Sequence, residues 1–302
     1  MSKKNRLILG VVSLAVITVL LSFYFRSHPV AVLDPKGIIA AKEKHLMLLT
    51  TGIMLIVVIP VFALTFLIVY RYRAPREATY TPNWDGNRAL ELLWWGFPLA
   101  IIIVLAVVAW RSSHELDPSR PIASSQSALN VQVIALQYKW LFIYPEQHIA
   151  SLNYFAFPAQ RPVSFHITSD APMNSFWIPQ LGGQVYAMSG MSMPLQLMAD
   201  HPGNYRGVSA NISGSGFANM HFNARATSDQ DFTRWVKRAS ASRITLADET
   251  YRQLVQPASD TTERTYSHVP SGLYDAVVMK YLQPWDASKS LGGTVRGAGY
   301  GS

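Results

Sequence analysis

Three long runs of apolar residues occupy the first 110 positions, and short alternating runs follow them. The apolar runs cover residues 7–25, 46–70 and 92–110. A helix that crosses a bilayer needs about 20 consecutive apolar residues, so each run predicts a membrane helix. Aromatic residues stand at their ends. Tyr70 and Tyr72 close the second run, and Trp94, Trp95 and Trp110 flank the third. That placement suits the headgroup zone. Pro60 and Pro98 fall inside the second and third runs. Membrane helices accept proline where neighbours re-satisfy the freed carbonyl, so each predicts no more than a kink.

From residue 117 the pattern changes. Residues 117–127 form a Pro/Ser-rich linker. Residues 130–142 are rich in Val, Ile, Leu and aromatics, and residues 162–168 alternate apolar with polar. Further extended runs cover 194–198, 205–211 and 221–226, with Gly182-Gly183 and Pro202-Gly203 as turn signals. Many short strands punctuated by Gly and Pro predict a β-sandwich or barrel. After Ser228 the period lengthens again. Residues 231–239, 247–255 and 271–282 read as short amphipathic helices, with Ser228 or Asp229 as N-cap of the first. The Gly-rich end, 292–302, predicts disorder. No internal repeat is present.

Charge adds an orientation. Of the net +8, residues 1–111 carry 12 Lys/Arg against 5 Asp/Glu, and the remainder is nearly balanced. The basicity therefore belongs to the apolar half, which is a topology signal and not a nucleic-acid face. Arg71, Arg73, Arg76 and Arg88 lie between the second and third runs, and Lys3, Lys4 and Arg6 precede the first. Both groups belong on the cytoplasmic side. The chain then exits, returns and exits again, and everything after about residue 112 lies in a bacterial periplasm. The first run also has the form of a secretory signal. Residues 21–26 contain no small-x-small cleavage site, which favours a retained helix.

The chain has no cysteine. This excludes thiolate metal sites, iron–sulfur clusters, disulfides and S-lipidation. Neither a nucleophile elbow nor a phosphate-cradling Gly-rich loop with a Lys occurs. One stretch nonetheless has metal-loop spacing: Ser209, Ser213, Phe217 and Met220 follow an x-3-x-3-x-2-Met frame.

In the second subunit of the cytochrome c oxidases, members of the haem–copper oxidase family, that frame reads Cys-x3-Cys-x3-His-x2-Met and holds a dinuclear copper centre. Other words of this chain resemble the same family. Gln137-Tyr-Lys-Trp140-Leu-Phe-Ile-Tyr144-Pro-Glu146 is similar to its aromatic segment. Met173-Asn174-Ser-Phe-Trp177-Ile-Pro179 is similar to the loop carrying the first copper-binding histidine, with Asn174 in its place. Glu91-Leu-Leu-Trp94-x3-Pro98 resembles the start of its second core helix. The quinol-oxidising, cytochrome bo-type branch is the nearest. It is indicated by Leu33-Asp-Pro-Lys-Gly37, Met54-Leu-Ile-Val-Val-Ile-Pro60, Pro82-Asn-Trp84 and Tyr186-Ala-Met188-x-Gly190-Met191. The resemblance runs from about residue 33 to 282.

The resemblance implies an α+β membrane protein. Residues 1–30 would be a signal or anchor segment and 31–116 a transmembrane hairpin. A copper-free, cupredoxin-like Greek-key sandwich would cover 117–227, an aromatic-rich helical extension 228–285, and a disordered tail 286–302. The copper-ligand positions become Asn174, Ser209, Asn211 (for the bridging glutamate), Ser213, Phe217 and Met220. Serine hydroxyls are poor substitutes for the soft, bridging thiolates that copper requires, and Phe217 has no donor atom. No cofactor is expected on this chain. Haems and copper are expected in a partner subunit I, with smaller oxidase subunits and the lipid bilayer as further partners. Ubiquinol is the implied electron donor and cytochrome c is not.

Glu91 is the residue to which the resemblance gives a role, at the mouth of a proton pathway into subunit I. A helix-start acid favoured by the dipole is the alternative. Asn87 lies four positions before it, which is wrong for a capping box. His221 reads as an ordinary strand residue, the methionines 188, 191, 193 and 198 as packing or interface, and Trp140 as core. A stand-alone, membrane-anchored binding or assembly module remains the alternative function, since the fold by itself does not imply an oxidase.

Overall fold

The computed structural model describes residues 12–13, 16–20, 22–26, 30–72, 86–258 and 262–282. Residues 16–20 and 22–26 are helical; the rest of the first apolar run lies largely outside the described residues. So do Arg73, Arg76, the Pro82–Trp84 word and the glycine-rich end.

Two helices hold the second and third runs. Helix α1 spans Ile38–Arg71 and α2 spans Arg88–Glu115, with Pro60 and Pro98 inside them. Both are long and apolar enough to cross a membrane. Leu55, Phe62 and Phe66 on α1, and Leu92, Trp94 and Ile102 on α2, are exposed. Large apolar side chains left open on two long helices match a lipid-facing surface and would be costly in water.

Backbone hydrogen bonds root α1 in the domain that follows. Lys36 N donates to Gln180 O (2.7 Å), Asp200 N to Lys36 O (2.9 Å) and Ala40 N to Leu181 O (3.1 Å). Gly37 starts the helix against the Met198 carbonyl, where a Cβ would clash. The ends of the two helices are joined by Lys42 Nζ and Glu115 Oε1 at 2.6 Å. Being half-exposed, that pair contributes little by itself.

Among the described residues, eleven strands form two sheets. The larger has the order β11-β3-β2-β1-β5-β8 and the smaller β4-β10-β9-β6-β7. β1 (Leu129–Leu136) pairs antiparallel with β2 (Lys139–Tyr144) and parallel with β5 (Val163–Ser169). β10 (His221–Thr227) pairs antiparallel with β9 (Gly203–Ser209) and parallel with β4 (Tyr154–Pro158). β3 (Ile149–Leu152), β6 (Asn174–Trp177), β7 (Val185–Ala187), β8 (Met193–Leu197) and β11 (Arg264–Tyr266) complete the set.

The single extended run at residues 130–142 is therefore two strands. Leu136 pairs with Lys139, and Tyr138 takes φ 68° to turn the chain between them. No Gly or Pro marks this hairpin, so pattern reading runs through it. The short β3, β4, β6, β7 and β11 also lacked a distinguishing pattern.

The inner faces meet in an aromatic core. Phe142 stacks on Phe155 (4.8 Å between centroids), Phe176 on Phe222 (4.9 Å), and Trp140 meets Phe176 edge-on (5.4 Å). The outer face of the larger sheet is buried as well. Ile134, Leu136, Leu141, Ile143 and Leu152 pack beneath Leu246, Leu254, Tyr266, Val269, Tyr274 and Val277 of the C-terminal extension. Burial on both faces explains why all six residues of β2 are apolar or buried, with no alternation.

The extension supplies α3 (Asp229–Ser240), α4 (Asp248–Val255) and α5 (Leu273–Lys280). Ser228 caps α3 by accepting from Asp231 N at 3.1 Å. Phe232 and Trp235 carry its buried face onto Tyr144 and Tyr154. Asp170, just after β5, latches the extension in place. Its side chain is 1% exposed. Lys280 Nζ and Tyr281 OH both donate to its Oδ1 at 2.7 Å, and Tyr251 OH donates to its Oδ2 at 2.7 Å.

Two outcomes follow from this packing. Gly207 backs onto the Phe222 ring, so a Cβ there would be driven into fixed aromatic carbons. Gly207→Ala is expected to destabilise the full-length protein by about 1–3 kcal/mol, the usual cost of overpacking; unchanged melting would show that the ring yields.

The latch gives a pH signature. Burial, then the hydrogen bond to Asp170, pushes the Tyr251 and Tyr281 hydroxyls up; the hydrogen bond to Asp170 raises Lys280. A raised group adds stability that is complete below its unfolded pKa and is lost as pH climbs through the folded value. The unfolded values lie near 10, so the melting temperature should hold through neutral pH and fall above about pH 10. Asp170→Asn is expected to cost about 1–3 kcal/mol at pH 7 and to flatten the alkaline fall. An unaltered alkaline slope in the variant would remove Asp170 as its source.

Candidate functional site

One end of the sandwich gathers the residues that the metal-loop spacing singled out. The end of β9, the loop after it, the start of β6 and the β1–β2 turn meet there. Asn174 opens β6 and Ser209 closes β9, and both are buried, at 1% and 6% exposure. Ser209 Oγ donates to Asn174 Oδ1 at 3.0 Å, and Asn174 Nδ2 donates to Pro172 O at 2.7 Å. Asn211 Nδ2 donates to Met173 O at 2.8 Å. Four of the side-chain polar atoms at these positions are thus spent on one another or on neighbouring carbonyls.

The backbone holds the loop in the same way. Ala210 N donates to Ser175 O (3.0 Å), Ser209 N to Met220 O (3.1 Å), and Met220 N to Phe217 O (2.9 Å) at the end of a 3₁₀ turn, Phe217–Asn219. Met220 is 2% exposed and belongs to the aromatic core. Gly214, at φ 130°, lies against the Tyr138 hydroxyl where a larger residue would clash. Hydrogen bonding to Ser215, then to Gln137 and to the Gly216 backbone, holds that hydroxyl below the usual tyrosine range.

This arrangement does not fit a dinuclear copper centre. Such a centre needs two bridging thiolates and imidazole. Ser209 and Ser213 present neutral hydroxyls, of which the first is already hydrogen-bonded and the second, Ser213 Oγ, is buried without a partner among the described residues. Phe217 offers no lone pair. His221, the nearest imidazole in sequence, lies on β10 opposite Val208, and its Nδ1 is buried. Among the described residues, no three His, Asp or Glu side chains come together as a metal cluster.

Trp140 is fully buried, between Phe176 and Phe222. It is a core residue and exposes no surface for electron entry. The four methionines do not form one group. Met198 is buried beside the root of α1, whereas Met188, Met191 and Met193 flank the turn at the opposite end, with Met191 48% exposed.

Glu91 lies far from all of this, in the first turn of α2, and is exposed. Asn87 caps that helix alone. Its Oδ1 accepts from Ala89 N (3.0 Å) and Leu90 N (3.2 Å), so Glu91 takes no part in a capping box. The Asp170 latch escaped pattern reading. Within Thr168-Ser-Asp170-Ala-Pro172 an aspartate reads as an ordinary turn former, and its partners lie at least 81 positions away.

Comparison with known proteins places the chain. A family model described as the COX Aromatic Rich Motif matches residues 240–284, most of the extension. The cytochrome bo(3) ubiquinol oxidase subunit 2 of Pseudomonas putida is 46% identical over 250 residues, covering 82% of this chain and 80% of that protein. The ubiquinol oxidase subunit 2 of Acetobacter aceti is 43% identical over 264 residues, 86% of each. Among solved structures, the periplasmic domain of subunit II of cytochrome oxidase (CoxB) of Bradyrhizobium japonicum aligns at 20% identity. Its TM-score is 0.37, over 39% of this chain and 98% of that one. The match to the two bacterial oxidase subunits covers more than four fifths of this chain, and by it the chain belongs to the ubiquinol oxidase subunit 2 family.

Proposed function

We propose that this chain is the non-haem, copper-free subunit II of a proton-pumping oxidase that passes electrons from ubiquinol to oxygen. The Ser209–Asn174 hydrogen bond carries the reading. Two positions that the resemblance assigns to copper ligands are bonded to each other, so this sandwich offers no electron acceptor to a soluble cytochrome. Ubiquinol is lipid-soluble and delivers electrons within the membrane, where α1 and α2 place the chain. Its relatives are named for that donor.

In this reading the haems and copper belong to subunit I, against which α1 and α2 pack in the inner membrane, with the smaller subunits alongside. The charge asymmetry of the apolar half supports a cytoplasmic loop between α1 and α2 and a periplasmic sandwich. Glu91 then stands at the cytoplasmic mouth of α2, where a water-accessible carboxylate can collect protons and pass them to a channel in subunit I.

The complex purified from native membranes is expected to contain a haem-bearing partner and to oxidise ubiquinol but not reduced cytochrome c. Recovery of a haem-free chain without a partner would instead favour the stand-alone anchored module. Within the assembled complex, Glu91→Ala is expected to slow turnover on the order of tenfold, equivalent to about 1.4 kcal/mol of barrier, with haem content unchanged. Turnover equal to the parent would leave Glu91 with only its place near the helix dipole.

A further inference from the structure

At the sandwich end of the membrane hairpin, α1 and α2 enclose a groove of about 320 Å³. Helix α1 lines it with Lys42, His45, Leu46 and Leu49. Helix α2 lines it with Val108, Arg111, Ser112 and Glu115. Each set has the spacing i, i+3, i+4, i+7, which is one face of a helix. The two faces share a vertical order. Leu46, Leu49 and Val108 make the deep end, and the polar groups stand beyond them on the sandwich side. At a rise of about 1.5 Å per residue, His45 lies roughly 6 Å above Leu49 and Arg111 roughly 4.5 Å above Val108.

The apolar runs set the depth of the groove in the bilayer. The second run begins at Leu46 and the third ends at Trp110. His45 and Arg111 are therefore the first residues beyond the hydrocarbon on their helices, at headgroup level, and the exposed Trp110 marks the same level. Neither His45 nor Arg111 has a hydrogen-bond or ion-pair partner among the described residues. Lys42 does, since Glu115 takes its ammonium at 2.6 Å. That pair closes the top of the groove, and the guanidinium and imidazole below it are what the groove offers a ligand. A guanidinium fork matches the oxygens of a phosphate in charge and geometry, and the imidazole N–H adds a donor. The side chains deeper in the groove are aliphatic, and they would gain nothing from a free anion. A ligand that satisfies both halves has phosphate at one end and hydrocarbon at the other.

We propose that this groove holds a phospholipid of the leaflet on the sandwich side, with its phosphate between Arg111 and His45 and an acyl chain along Leu46, Leu49 and Val108. Bound there, the lipid joins α1 to α2 just below the Lys42–Glu115 pair, which is half-exposed and weak by itself. The proposal rests on the membrane reading of α1 and α2. It involves neither the copper-like loop nor Glu91, so its failure would leave the electron-donor reading untouched.

The test is photolabelling of the purified complex in detergent. Two probes carry the same diazirine-bearing acyl chain, one on phosphatidylglycerol and one on diacylglycerol, which lacks the phosphate. Labelled peptides are mapped by mass spectrometry, and labelling around Phe62 and Phe66, exposed in mid-helix, serves as the reference for each probe. Labelling at Leu46, Leu49 and Val108 should favour phosphatidylglycerol by about tenfold over that reference, the ratio expected for one charge-assisted hydrogen bond. The double substitution His45→Gln with Arg111→Gln should bring the ratio to about one. Both side chains are exposed, so the variant should assemble with the parent's haem content. Leu49→Trp fills the aliphatic end without touching the charged one, and it should lower phosphatidylglycerol labelling of the groove several-fold. Should the double variant fail to assemble, Leu49→Trp decides the matter. Equal labelling by the two probes in the parent would mark an ordinary lipid-facing surface and overturn the proposal. So would a groove that a partner subunit shields from both probes, or a preference that the assembled variants retain in full.

Discussion

The six-stranded sheet must be buried on both faces, and the rest of the molecule is arranged to meet that requirement. Its inner face packs on the five-stranded sheet as Trp140, Phe142 and Phe165 meet Phe176 of β6. Its outer face, lined by Ile134, Leu141 and Ile143, is as apolar as the inner one and would be an open hydrophobic patch without a cover. The extension is that cover, and β11 adds a strand at the sheet's edge beside β3. The Asp170 carboxylate fixes where the cover sits, because a buried anion with three donors tolerates little displacement. The aromatic-rich motif of the family is thus a second layer of the core.

The same rigidity explains how a metal-loop frame persists without ligands for the metal. The β9–β10 connection keeps its path because Gly214 meets Tyr138, Met220 anchors in the core, and Ser209 joins Asn174 across the two strands. In place of metal coordination there is a short chain of neutral hydrogen bonds, each of modest net value. Together they hold the loop in place without a charged ion.

Much of the architecture was legible from the chain alone. The two long helices, the change to short strands near residue 128 and the return to helices after Ser228 all follow from hydrophobic period, which is a local property. The N-cap of α3 was legible to within one residue, as Ser228 or Asp229, and the Ser228 side chain fills it. Strand count was not. The turn at Gln137-Tyr138 carries no Gly or Pro, and in a sheet buried on both faces apolar residues run on without alternation, so the pattern concealed a hairpin. The frame of Ser209, Ser213, Phe217 and Met220 was legible as spacing, whereas its link to copper, and the places of Asn174 and Asn211, came only with the family resemblance.

What the sequence determined by itself is what depends on residue type and near neighbours: no thiolate, a basic and apolar half, and Glu91 near the start of a helix. Tertiary structure alone decided which distant groups meet. Asp170 finds Tyr251, Lys280 and Tyr281 from at least 81 positions away, and His45 and Arg111 come from two helices to one groove. Such contacts arise from sheet order, from the path of the extension and from the pairing of the helices, and a lone Asp in a turn or a lone Arg on a surface carries no mark of them. Electrostatic and hydrogen-bonding partners are set by distance through space, and only the fold supplies that distance.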